Sequence, residues 1–178
     1  MAFMRQNKLL PNSLRRMWTL PPLASLAILS TSFGRAQDAS CKVVADAETL
    51  LLRTPHHLYT TEVRQGRSVA SEVIDTPGGV YVGTNGVWHK ATGSIQDFAQ
   101  IAADSLKQLR DCRHVADEVS DAQPAAKYTL HNAASGGDES VWIAKGSGLP
   151  LISEALIEGR RISSRYDYSN IQPPPNVR

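Results

Sequence analysis

Residues 149–170 read LPLISEALIEGRRISSRYDYSN. From Arg161 onward the stretch alternates: Ile162, Ser164, Tyr166 and Tyr168 fall on one side of an extended chain, Arg161, Ser163, Arg165 and Asp167 on the other. A period of two marks a strand with one face buried. The tyrosine side is therefore expected to point inward and the charged side to face water, where Arg165 and Asp167 can pair weakly. Glu158-Gly159-Arg160 reads as a turn joining this strand to the apolar run before it. Nothing in the stretch resembles an activated acid or base. It reads as a wall rather than as a reaction centre.

The same pattern continues in the N-terminal direction. RHVADEVS (113–120), AAKYTLHN (125–132) and ESVWIAK (139–145) read as strands, punctuated by DAQP, AASGGD and GSG. Further back, HLYTTEVR (57–64), SVASEVID (68–75), VYVG (80–83) and VWHKA (87–91) are joined by QGR, TPGG and TNG. Asn85-Gly86 between β-formers is the strongest of these hairpin signals. Two segments break the pattern. In CKVVADAETLLLR (41–53), Val43, Val44, Ala47, Leu50 and Leu51 share one helical face, and Thr54-Pro55 stops the helix. In SIQDFAQIAADSLKQLRDC (94–112), Ile95, Phe98, Ala102, Leu106 and Leu109 form a stripe widened by Ala99 and Ile101, with Ser94 placed to cap it. The expectation is an α+β fold of about nine short strands in an antiparallel sheet, with two helices.

The 178-residue chain has room for one buried core. Its formal charge of +2 misleads, because Arg5, Lys8, Arg15, Arg16 and Arg35 lie in residues 1–36, which contain no acid. The remainder carries 14 basic and 17 acidic side chains, a balance of −3, which argues against nucleic acid as a partner. Residues 1–36 have the layout of a signal peptide: a basic start ending at Arg16, a short apolar run to Phe33, and small residues Gly34 and Ala36 before a cut after Ala36. The run is too short for a membrane span and contains Pro21 and Pro22. Arg15-Arg16 in SLRRMWTL matches a twin-arginine pattern poorly, so the general secretory route to the periplasm is expected.

In an exported chain the two cysteines, Cys41 and Cys112, are expected to form a disulfide. Lipid attachment at Cys41 is disfavoured because Asp38 stands where a lipobox needs an apolar residue. No metal site is expected: His56 and His57 face opposite ways in a strand, and His89, His114 and His131 have no local partner at ligand spacing. There is no nucleophile elbow, zinc-protease helix, phosphate loop or dinucleotide fingerprint, so no catalytic residue is assigned and no cofactor is expected.

VWIAKGSGLPLISEALIEG and RISSRYDYSNI together resemble the closing strands of the periplasmic lipoprotein-carrier superfamily (LolA/LolB-like). LLRTPHHLYTTEV followed by VWHKA is similar to the early strands of its smaller exported members. The resemblance covers most of residues 37–170, read as one domain followed by a loose tail at 171–178. It implies a strongly curved, half-barrel-like antiparallel sheet with helices on its concave side, the second helix among them, around an apolar cavity for lipid or another amphiphile. Tyr59, Trp88, Phe98, Ala102, Leu106, Tyr128, Trp142, Tyr166 and Tyr168 are then candidate cavity residues. Two other readings stand beside this one. One is an envelope interaction protein whose core is filled by its own side chains. The other is a cone-like pocket enzyme with His131 or Glu62 as base.

Overall fold

The computed structural model describes residues 33–92 and 95–177, with side chains described for 39–92 and 100–177. Residues 1–32, which hold most of the expected signal peptide, lie outside the described residues. Helix α1 (Phe33–Leu51) leads into strands β1 (His56–Arg64), β2 (Arg67–Thr76), β3 (Gly79–Thr84) and β4 (Val87–Lys90). Helix α2 (Ile95–Leu106) follows, and then β5 (Leu109–Ser120), β6 (Gln123–Asn132), β7 (Gly137–Ala144), β8 (Pro150–Ile157) and β9 (Arg160–Asp167). The strands form one antiparallel nine-stranded sheet in the order β4-β3-β2-β1-β9-β8-β7-β6-β5.

The turns follow from local chemistry. Asn85 and Gly86 both take positive φ (51° and 76°), the two-residue geometry that matches strand twist, and Glu158-Gly159 does the same (50° and 75°). Gly83 lies opposite Trp88, whose ring would come within 2.9 Å of any Cβ placed there. The indole thus packs flat over the backbone of β3.

Cross-strand register assigns every residue to a face. Tyr166, Leu58, Val73, Val82 and His89 form one row across β9, β1, β2, β3 and β4. Ser164 and Tyr166 are buried while Ser163 and Arg165 are exposed, so the inward tyrosine face expected of β9 is borne out. The surface pair is different from the expected one. Arg165 bonds Asp121 at 2.9 Å, and Asp167 instead accepts from the backbone N–H of Ser169.

Four expectations need correction. The sheet is not strongly curled: it is an open array whose end strands β4 and β5 lie at opposite edges and do not pair with each other. The expected second helix is too long. It ends at Leu106, Gln108 closes the last turn onto the Ser105 carbonyl at 2.9 Å, and the next residue begins β5. Leu109, assigned to the helical stripe by periodicity, and Cys112, expected at the end of the helix, are strand residues.

The inner face is also covered by a different helix. Val44, Ala47 and Leu51 of α1 are buried at 2%, 4% and 7% exposure, and α1 packs chiefly on β5. In α2, Ile101 is 68% exposed, and among the described residues of the helix Leu106, at its C-terminal end, joins the core of Val44, Leu109, Leu130, Val141 and Ile143. The apolar stripe of α1 already occupies the sheet surface that α2 was expected to take.

Residues 171–177, expected as a loose tail, are tethered at two points. Pro174 is buried, and Val177 makes a parallel bridge with Trp88 on the edge strand β4.

The disulfide expectation holds: Cys41 and Cys112 are joined, with Cα atoms 5.0 Å apart. Because Cys112 lies in β5, the bridge ties α1 to the edge of the sheet rather than to α2. It closes a loop of 71 residues, which the chain-entropy account values at roughly 4 kcal/mol. Cys112→Ser should therefore lower unfolding stability by about that amount in urea titrations. Titratable thiols in unfolded, unreduced wild-type protein would contradict the bond.

Candidate functional site

A cavity of about 210 Å³ lies under α1 and α2 against the inner face of the sheet. Its apolar lining is Val44 and Leu52 from α1 and its last turn, Ala102 and Leu106 from α2, and Leu109, Leu130 and Val141 from the sheet. Polar residues are interleaved with these: Glu48, Ser105, Asn132, Glu139, Ser153 and Tyr166, with Glu139 opposite Leu130 and Asn132 opposite Leu109.

Local structure explains how two carboxylates reach this place. Glu48 lies one helical turn beyond Val44 and one before Leu51, on the buried stripe of α1. Glu139 shares the inward parity of β7 with Val141 and Ile143. Burial raises the Glu48 carboxyl to about 7, and the charge of Glu139 adds to the effect. Burial also raises Glu139, opposed by hydrogen bonds from Ser135 and Asn132 and by the nearby His131. The Ser135 hydroxyl donates to Glu139 Oε1 at 3.3 Å, and Asn132 Nδ2 donates to Ser105 Oγ at 3.3 Å. Burial holds the Tyr166 phenol well above its usual range, reinforced by Glu48. Among the described residues, no lysine, arginine or histidine lines the cavity.

The residues singled out from the sequence are spread over both faces. Ala102, Leu106 and Tyr166 line the cavity. Tyr128 faces inward but packs against the neighbouring core, edge-on to His114 at 5.3 Å. Tyr168 lies just past β9, where its hydroxyl donates to the Pro150 carbonyl. Tyr59, Trp88 and Trp142 belong to the opposite face. Tyr59 is in register with Arg165, and Trp142 with Lys127, whose ammonium sits 4.2 Å from the indole centre. Trp142 also donates to Glu118. Tyr59 and Trp88 line a surface depression that residues 169–175 help to form, with His57 stacked on Tyr59 at 4.0 Å. The Phe98 side chain lies outside the described residues.

Glu48 and Glu139 were missed by the sequence reading. The signal was available: an acid on an otherwise apolar helical stripe, and an acid sharing strand parity with Val141 and Ile143. The histidines are engaged elsewhere. His57 meets Glu72 at 2.8 Å, His114 meets Asp117 at 2.9 Å and His131 meets Asp138 at 2.9 Å. Glu62, the other candidate base, approaches Arg160 at 3.7 Å and does not line the cavity.

No family model matches the chain. No curated protein matches it either. Solved structures do. The chain is similar to the lipoprotein LppX of Mycobacterium tuberculosis at 14% identity and a TM-score of 0.46, over 79% of this chain and all of that one. It is similar to a chain of the Pseudomonas aeruginosa MucA/MucB complex at 13% identity and a TM-score of 0.46, over 76% of this chain and 59% of that one. A third match is a domain described as an outer membrane lipoprotein-sorting protein from Vibrio parahaemolyticus, at 9% identity and a TM-score of 0.34, over 76% of this chain and 94% of that one.

Proposed function

We propose that the protein is an exported, periplasmic binding protein that holds the end of a lipid or another amphiphile in the cavity between its helices and the inner face of its sheet. The observation carrying this reading is a cavity whose lining combines apolar side chains with a few polar ones, a composition that suits an amphiphile. Ala102, Leu106 and Tyr166 are proposed ligand contacts. The Cys41–Cys112 bond is of the kind that persists in oxidising compartments, in keeping with export through a signal peptide cut after Ala36.

At about 210 Å³ the cavity is smaller than the ~300 Å³ at which pockets for drug-sized ligands begin. The rest of a ligand has a place on the sheet: the row that begins at Tyr166 continues across β1–β3, where Val69 and Val82 on the inner face are 55% and 40% exposed. An acyl chain leaving the cavity would find apolar surface there.

Ala102→Trp separates this reading from a self-filled core. In a ligand pocket the indole occupies free space, so the variant should keep its stability while losing binding of a fluorescent fatty-alcohol probe. In a packed core, overpacking should cost roughly 1–3 kcal/mol and wild type should bind no probe.

The carboxylates predict how stability depends on pH. Glu48 sits at about 7 in the folded chain against an ordinary value of 4.5, so the folded state holds an extra proton between those limits. Its contribution is fully present below pH 4.5 and is lost as pH rises through 7; Glu139 acts in the same direction. Urea titrations of wild type from pH 4.5 to 7.5 should show this loss, up to about 3 kcal/mol from Glu48. Glu48→Gln should remove most of it. A pH slope unchanged in the variant would place the titrating group elsewhere.

A further inference from the structure

We infer that the cavity selects an amphiphile with a cationic head, an alkylammonium rather than a carboxylate or phosphate, and that Glu48 and Glu139, which line it, are the groups that receive it. The inference rests on the binding-protein reading above and adds the head-group chemistry.

Two acids line one cavity, and among the described residues no lysine, arginine or histidine lines it with them. Glu48 comes from α1 and Glu139 from β7, and they repel each other. The other described groups lining the cavity are uncharged: Ala102, Ser105 and Leu106 from α2, Leu109 from β5, Leu130 and Asn132 from β6, Ser153 from β8 and the Tyr166 phenol from β9. Three cations on or beside the elements that line the cavity pair with other acids, His131 also acting on Glu139 through its charge. His131 pairs with Asp138, Lys42 with Asp46 and Lys107 with Asp104, the two lysine pairs on exposed surface. Glu139 accepts from Ser135, whereas among the described residues no hydrogen bond or ion pair engages Glu48, which is half-buried and lines the cavity.

A buried carboxylate is costly unless it is paired and hydrogen-bonded. An ammonium group supplies three donors and a positive charge, which would relieve both carboxylates together through charge-assisted bonds. An anionic head would add a third negative charge to a partly dehydrated space, so the same geometry rejects it. A bare divalent cation is a poorer fit. It seeks six or more oxygen ligands, while half of this cavity is hydrocarbon. Val44, Leu106, Leu130 and Val141 instead suit the alkyl part of an organic cation.

The test compares three probes of equal chain length, octylammonium, octanol and octanoate, by titration calorimetry on the full chain at pH 8. At that pH Glu48 is ionised in the ligand-free protein. Octylammonium should bind about tenfold or more tightly than octanoate, with octanol between them. In Glu48→Gln the ratio of octylammonium to octanol affinity should fall toward one. Should that variant fold poorly, carbon-13 titration of the Glu48 carboxyl in wild type gives an independent reading. Its midpoint should drop when octylammonium saturates the protein. Octanoate binding as tightly as octylammonium, or a Glu48 midpoint that does not respond, overturns the head-group inference while leaving the binding protein in place. If none of the three binds, the binding-protein reading falls and the head-group inference falls with it.

Discussion

The bond between Cys41 and Cys112 fixes what the rest of the chain can do. It fastens α1 to β5, the edge strand of a sheet that is not strongly curled. With that end fixed, the stripe of Val44, Ala47 and Leu51 must lie along the inner face, where it completes the core with Leu130, Val141 and Ile143. An open antiparallel sheet needs a partner for one face. Here α1 supplies it for the β5–β8 half. The β2–β4 half keeps partly exposed valines on the same face. The cavity lies within the covered half and the exposed row leads away from it, so one covalent tie sets both the pocket and the apolar surface beside it.

The cavity has a cost in stability that a plain core would not have. Leucines in place of Glu48 and Glu139 would pack against the surrounding apolar wall without dehydrating a charge. The chain instead keeps two acids whose protonation is displaced by burial, the larger displacement at Glu48. Perturbed carboxyls in a concave site are a recognised mark of function, because a structure gives up stability locally where chemistry or binding needs it. The contrast with the opposite face is informative. There, Lys127 covers Trp142, Arg165 pairs with Asp121, and His57 pairs with Glu72. Charges that meet partners at the surface contribute little and ask for nothing further. Glu48 and Glu139 line the cavity instead.

Much of the fold was legible in the sequence because period-two alternation and Gly-containing turns are local signals. The inward tyrosine face of β9, the Asn85-Gly86 hairpin, the count of strands and the antiparallel pairing all follow from neighbours a few residues apart. The errors arose where tertiary context overrides local pattern. Leu109 continues a helical stripe in sequence, yet the helix closes at Ser105–Gln108 and Leu109 pairs with Asn132 in the sheet. Which helix covers the sheet depends on the disulfide and on strand order, neither of which periodicity encodes. The candidate site was half legible for the same reason. Tyr59, Trp88 and Trp142 are cavity candidates on the resemblance, but register places them on the other face. Parity carried through the hairpins would have separated them. It would also have exposed Glu139 as an acid among inward apolar residues.

The account stands on the cavity being a place for a ligand rather than a packing remnant. Native mass spectrometry of protein isolated gently from its own compartment tests this most directly. The account predicts a population heavier than the polypeptide by one small amphiphile, stripped by collisional activation and absent from Ala102→Trp. Bare polypeptide mass in every preparation, persisting after incubation with excess alkyl amphiphile, would contradict it.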